Sequence, residues 1–111
     1  MMRMDDIMDV YERLVDTRIP FSFNHIPKEK APPLPYGIYS TERANPFYAD
    51  GRLYFVFGHL QVELYSEYKD PSLESKVEAA LSGFAWTKDE EFLNEEKCYL
   101  VTYELEVKSN E

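Results

Sequence analysis

Cysteine is nearly missing from this chain, and glycine and basic residues are scarce. A single cysteine, Cys98, leaves no internal disulfide to form and cannot alone make a zinc site. Four glycines in 111 residues give little material for a phosphate-cradling loop. Neither G-x-x-x-x-G-K-[ST] nor G-x-G-x-x-G occurs, and G-x-S-x-G and H-E-x-x-H are missing too. Twelve Lys and Arg stand against 21 Asp and Glu, a net charge of −9. That balance argues against general nucleic-acid binding, which needs a basic patch to displace counterions from phosphates. No apolar run approaches the roughly 20 residues that cross a bilayer. The opening Met1-Met2-Arg3-Met4-Asp5-Asp6 turns acidic before an apolar segment develops, so no secretory signal is expected. The expectation is one soluble domain over 1–111, made inside the cell, without disulfide, metal or cofactor.

What is present suffices for a core: 44% of the residues are hydrophobic and 15% aromatic. Residues 4–17 carry Met4, Ile7, Met8, Tyr11, Leu14 and Val15 at helical spacing, with Asp5, Asp6 and Asp9 at the positive end of the helix dipole. Pro20 stops the helix, and Ile19, Phe21 and Phe23 then alternate as in a strand. Four of the seven prolines fall within 27–35, which reads as a stiff extended connector. Residues 36–40 read as a short strand and 41–51 as a polar loop holding two turn signals, Asn45-Pro46 and Asp50-Gly51.

The strongest strand signal runs from Arg52 to Tyr65. Leu60, Val62 and Leu64 alternate with Gln61, Glu63 and Tyr65, whereas 53–57 is apolar on both faces. Fully extended, the run would span roughly 46 Å, against a globule diameter of roughly 34 Å for this length. It must bend, with Gly58 the natural place, or project. Asp70 and Pro71 read as the cap and first residue of a second helix with Leu73, Val77, Ala80 and Leu81 on its stripe and Gly83 as its stop. Strands follow at 84–87 and 98–107. The order is α-β-β-β-α-β-β, an α+β fold of two helices packed on one mostly antiparallel sheet. The matched periodicities predict a core of Ile7, Tyr11, Leu14, Leu60, Val62, Leu64, Leu73, Val77, Leu81, Tyr99, Val101 and Tyr103.

The acidity is uneven, with residues 70–111 supplying −7 of the −9. Its densest part is Asp89, Glu90, Glu91, Glu95 and Glu96, flanked by Lys88 and Lys97. It reads as a solvated turn, with a surface that meets a basic partner as the alternative; no Asp-x-Asp-x-Asp-Gly loop is present to hold calcium. His25 and His59 are the only histidines, and no motif joins either to Cys98 as a nucleophilic pair. Cys98, on a strand pattern, is expected to be a buried small side chain. The aromatic stretch 53–57 would suit base stacking only beside a basic groove, which the composition does not supply. No enzyme is expected.

The stretch Ile19-Pro20-Phe21 through His25-Ile26-Pro27, then Ala31-Pro32-Pro33-Leu34-Pro35-Tyr36, resembles the opening of a family of small phage and prophage proteins. The likeness continues through Ala49-Asp50-Gly51-Arg52-Leu53-Tyr54, Val62-Glu63-Leu64-Tyr65 and Lys69-Asp70-Pro71 to Leu81. It closes with Trp86-Thr87-Lys88 and Tyr99-Leu100-Val101-Thr102-Tyr103-Glu104. Together these are similar to the tail-completion, or tail-to-head joining, proteins of siphophages infecting Gram-positive bacteria. The resemblance implies a tail-terminator-like α+β domain that self-associates into a ring closing the tail tube. Its implied partners are the tail-tube protein and the head-completion protein. It further implies a place in the virion at the head–tail junction, with assembly in the host cytoplasm, and no catalytic residues. The alternative is a monomeric binding or regulatory module encoded in a prophage. No specific nucleic-acid or membrane binding is expected.

Asp50-Gly51 is a tight-turn signal between Phe47-Tyr48-Ala49 and Arg52-Leu53-Tyr54, so a projecting hairpin is sterically natural. Phe47, Tyr48, Asp50, Arg52 and Tyr54 are therefore the expected partner-binding residues, to be covered by another subunit or by the tail tube.

Overall fold

The computed structural model describes residues 2–24, 26, 30–41, 45–57 and 59–108, and within these the side chains of 2–4, 45–47, 49, 54–57 and 106–108 are not described. A two-residue strand β1 (Met2–Arg3) leads into helix α1 (Met4–Asp16). The helix buries Ile7, Val10 and Leu14, the i, i+3, i+7 face, and leaves Met8 and Val15 exposed. The buried stripe is thus rotated from the expected one, because the sheet beneath selects the face. The helix ends through Thr17 and Arg18, and Arg18 takes the left-handed φ of 67° where glycine is usual.

Strands β2 (Phe21–Phe23), β3 (Tyr36–Thr41) and β6 (Leu60–Ser66), helix α2 (Pro71–Ala80), and strands β7 (Phe84–Leu93) and β8 (Cys98–Lys108) complete the main body. The sheet order is β2-β3-β6-β8-β7, with β2 parallel to β3 and the other neighbours antiparallel. Its members run with the helices in the order α-β-β-β-α-β-β, and the fold is α+β. The Phe21 ring lies over Gly37, where a methyl group would overlap it, so any larger residue at 37 would displace that ring from the parallel edge.

Both helices cover one face of the sheet. Leu60, Val62 and Leu64 of β6 and Val101, Tyr103 and Leu105 of β8 point into that layer and meet Val77, Ala80 and Leu81 from the second helix. Nine of the expected core residues are buried, while Tyr11, Leu73 and Tyr99 pack against the core half-buried. Val10, Ile19, Tyr39, Ala80, Phe84, Leu100 and Leu105 are buried in addition. Asp70 caps α2, its carboxylate accepting the Leu73 N–H at 3.1 Å, with Pro71 next in line and Gly83 at φ 90° past the end.

Between β3 and β6 the chain leaves the main sheet and forms β4 (Asn45–Ala49) and β5 (Arg52–Phe57), which with β1 make a second sheet of order β1-β5-β4. The single strand expected over 52–65 is therefore two strands in two sheets. Gly58, the expected bend, lies outside the described residues, as does His25. Half of the expected polar loop at 41–51 is strand, carrying Pro46 on the outer edge of its sheet where a missing donor is harmless. β7 is likewise longer than the expected 84–87: it pairs with β8 as far as Leu93, so Asp89, Glu90 and Glu91 belong to an edge strand and only 94–97 to the turn. Charges along an outer strand discourage stray sheet pairing.

Candidate functional site

The β4–β5 hairpin is built by its turn. Asp50 and Gly51 both adopt positive φ, 51° and 73°, and Ala49 pairs with Arg52, a two-residue connection that twists with the flanking strands. This register sets Tyr48 opposite Leu53 and Phe47 opposite Tyr54. Directly opposed residues share a face, so Tyr48 and Leu53 form one apolar pair near the tip. Tyr48 is 79% exposed and Leu53 47%, and Asp50 and Arg52 are open to solvent beside them. Of the five expected interface residues, Tyr48, Asp50 and Arg52 thus sit together at the exposed tip. The side chains of Phe47 and Tyr54 lie outside the described residues. Leu53 is not among the five, although a two-residue turn at 50–51 already implies that it faces Tyr48.

A second constellation lies between α2 and the outer strand β7. Glu74 is almost wholly buried, and its Oε1 accepts from Lys69 Nζ at 2.8 Å and pairs with Lys88 Nζ at 2.7 Å. Lys69 also meets Glu90, and Lys88 donates to Glu78 Oε2 at 2.8 Å. The Tyr103 hydroxyl, from the middle of the core, donates to the same Glu78 oxygen at 2.8 Å. Burial pushes the Glu74 carboxyl up, but the two ammonium groups more than offset it and hold it below its ordinary value. Lys88 chiefly, helped by Tyr103, does the same for Glu78. The Tyr103 hydroxyl is raised by burial and then by its bond to Glu78. Opposite charges are matched here, so the arrangement locks a helix onto a sheet. Both carboxyls are driven toward the ionised form.

Cys98 and His59 do not form a nucleophilic pair. His59 immediately precedes Leu60, which is opposite Leu105, while Cys98 precedes Tyr99, which is opposite Ser66. They lie at opposite ends of the β6–β8 ladder, roughly 20 Å apart at strand spacing. Cys98 is buried as expected, at 4% exposure, and burial pushes its thiol up, away from the reactive thiolate. Among the described residues, no three His, Cys, Asp or Glu side chains are grouped to hold a metal, and no helix is long and apolar enough to cross a membrane.

No protein-family model matches the chain, and no curated protein matches it significantly.

Proposed function

We propose that this chain is a structural virion protein that completes a phage tail as a ring and joins it to the head-completion protein, with no catalytic role. The observation that carries the reading is the hairpin: a two-stranded arm, outside the main sheet, whose tip exposes Tyr48 and Leu53 to solvent. Tyrosine is one of the residue types that dominate protein interfaces, and Tyr48 stands open to solvent on this arm with Leu53 opposite it. The ordered resemblance to tail-completion proteins along most of the chain supports the same reading, as does the α+β order of the main body. On this view the arm docks on the tail tube or on a neighbouring subunit, and the protein works at the head–tail junction after assembly in the host cytoplasm.

The test is electron microscopy of lysates from the encoding phage with this gene deleted. Filled heads and free tails that join when the purified chain is added would bear the proposal out. Normal virions formed without it would sink it, and would favour a monomeric prophage-encoded binding or regulatory module.

A further inference from the structure

Two surfaces of opposite sign lie at the two ends of β7. At one end, the C-terminal turns of α1 and α2 bound an open groove of about 630 Å³ floored by Ala79 and Ala80. Arg13, Arg18 and Lys76 line it against one lining carboxylate, Asp16. The Arg13 guanidinium is occupied, donating to Asp9 at 3.0 Å and to the Ser82 carbonyl at 2.6 Å. Arg18 and Lys76 are exposed, and no carboxylate among the described residues pairs with them. In a chain of net charge −9, two uncommitted cations on one groove are a concentration of the rarer sign.

At the other end of β7, its turn into β8 carries Glu95 and Glu96 beside Lys97, all exposed, just past exposed Glu91, so carboxylates outnumber the one ammonium group three to one. β7 begins at Phe84, close behind the end of α2, and runs ten residues before this turn. At about 3.3 Å per residue the two surfaces are separated by roughly 30 Å. They cannot meet within one copy. Two bodies of −9 also repel one another unless the surfaces that face are opposite in sign.

We infer that the groove between the ends of α1 and α2 receives the β7–β8 turn of a second copy, setting Glu95 and Glu96 against Arg18 and Lys76. Because donor and acceptor surfaces occupy different ends of the same body, the contact is head-to-tail, the kind that closes into a ring when the rotation allows. The inference rests on the ring-forming reading and gives it a specific subunit contact, separate from the hairpin arm.

The experiment uses the full chain and two charge-reversed variants, one carrying Arg18→Glu with Lys76→Glu and the other Glu95→Lys with Glu96→Lys. All the substituted side chains are exposed, and circular dichroism checks that each variant folds. Sedimentation of the unaltered chain should show concentration-dependent association that weakens with added salt. Each variant alone should lose it, because its groove and turn then carry the same sign. An equimolar mixture should regain it, since the acidic groove of one variant faces the basic turn of the other. Should a reversed variant fail to fold, Arg18→Gln with Lys76→Gln takes its place and should weaken association at low salt. A mixture no more associated than its components overturns the contact. Rings that persist through both reversals also overturn it while leaving the ring-forming reading intact. If every sample sediments as a monomer the contact falls, and the tail-joining assay decides the ring-forming reading separately.

Discussion

Among the described residues Glu74 is the one charged residue that is buried, and two ammonium groups share one of its oxygens. Its other oxygen, Oε2, accepts no hydrogen bond among the described residues. Glu74→Gln would remove the charge and leave an amide N–H without an acceptor. Lys69 keeps Glu90 and Lys88 keeps Glu78, so the loss should be smaller than for an isolated buried pair, about 2 kcal/mol in a denaturant titration. The same group sets the response to acid. Glu74 and Glu78 titrate below their ordinary value of 4.5 in the folded chain, so the unfolded chain takes up protons first as pH falls. Their contribution is present above 4.5 and is lost as pH drops toward the lowered native values. Tyr103 and Lys88 are raised from 10.0 and 10.5, so theirs is present below those values and lost as pH climbs through the native ones. The melting temperature should therefore be flat between roughly pH 6 and 9 and fall on both sides. A melting temperature that stays flat on acidification below the ordinary carboxylate range would show that the cluster does not stabilise the fold. Val62 tests the apolar side of the same layer: it is fully buried at the centre of β6. Val62→Asp should cost several kcal/mol, on the order of a small domain's whole stability, and the variant should lose its cooperative thermal transition.

At the scale of elements, the hairpin is the part whose removal should leave the rest standing. Its two strands pair with each other and with β1, in a sheet separate from the five-stranded one. Tyr48→Ala with Leu53→Ala should therefore leave the melting temperature nearly unchanged while weakening partner binding by roughly 2 kcal/mol or more, read as loss of tail joining. Unfolding of the double variant would place those side chains in the core. What was legible in the sequence follows from how local each cause is. The cap at Asp70, the proline after it and the stop at Gly83 act within a few residues, and each stands where the sequence puts it. The Asp50-Gly51 turn is equally local. The length of β7 is not: residues 88–91 are charged and are held in strand by pairing with β8, a partner the local pattern does not reveal. The division of 52–65 is of the same kind, since two apolar faces announce burial without saying against what. Val10 rather than Val15 faces inward because the sheet chooses the helix face. The Glu74 cluster and the basic groove join residues distant in sequence, so neither could be read from spacing.

At the scale of the whole molecule, the body measures 50 × 33 × 22 Å with a radius of gyration of 14.9 Å, above the roughly 13 Å of a rounded domain of about 100 residues. An elongated subunit offers distinct ends, and this one also separates charge between the two ends of β7. One further property follows from the packing of Trp86. The chain has a single tryptophan, and its indole stands edge-on to Tyr103 at 5.3 Å, the same ring whose hydroxyl is tied through Glu78 to α2. Its emission therefore reports from one known address, the seam between helix and sheet. Acid that protonates the carboxylates and frees the helix should wet the indole and shift its light to the red. Docking at the hairpin tip should leave the colour unchanged, so one fluorescence trace can tell a loosened body from an occupied arm.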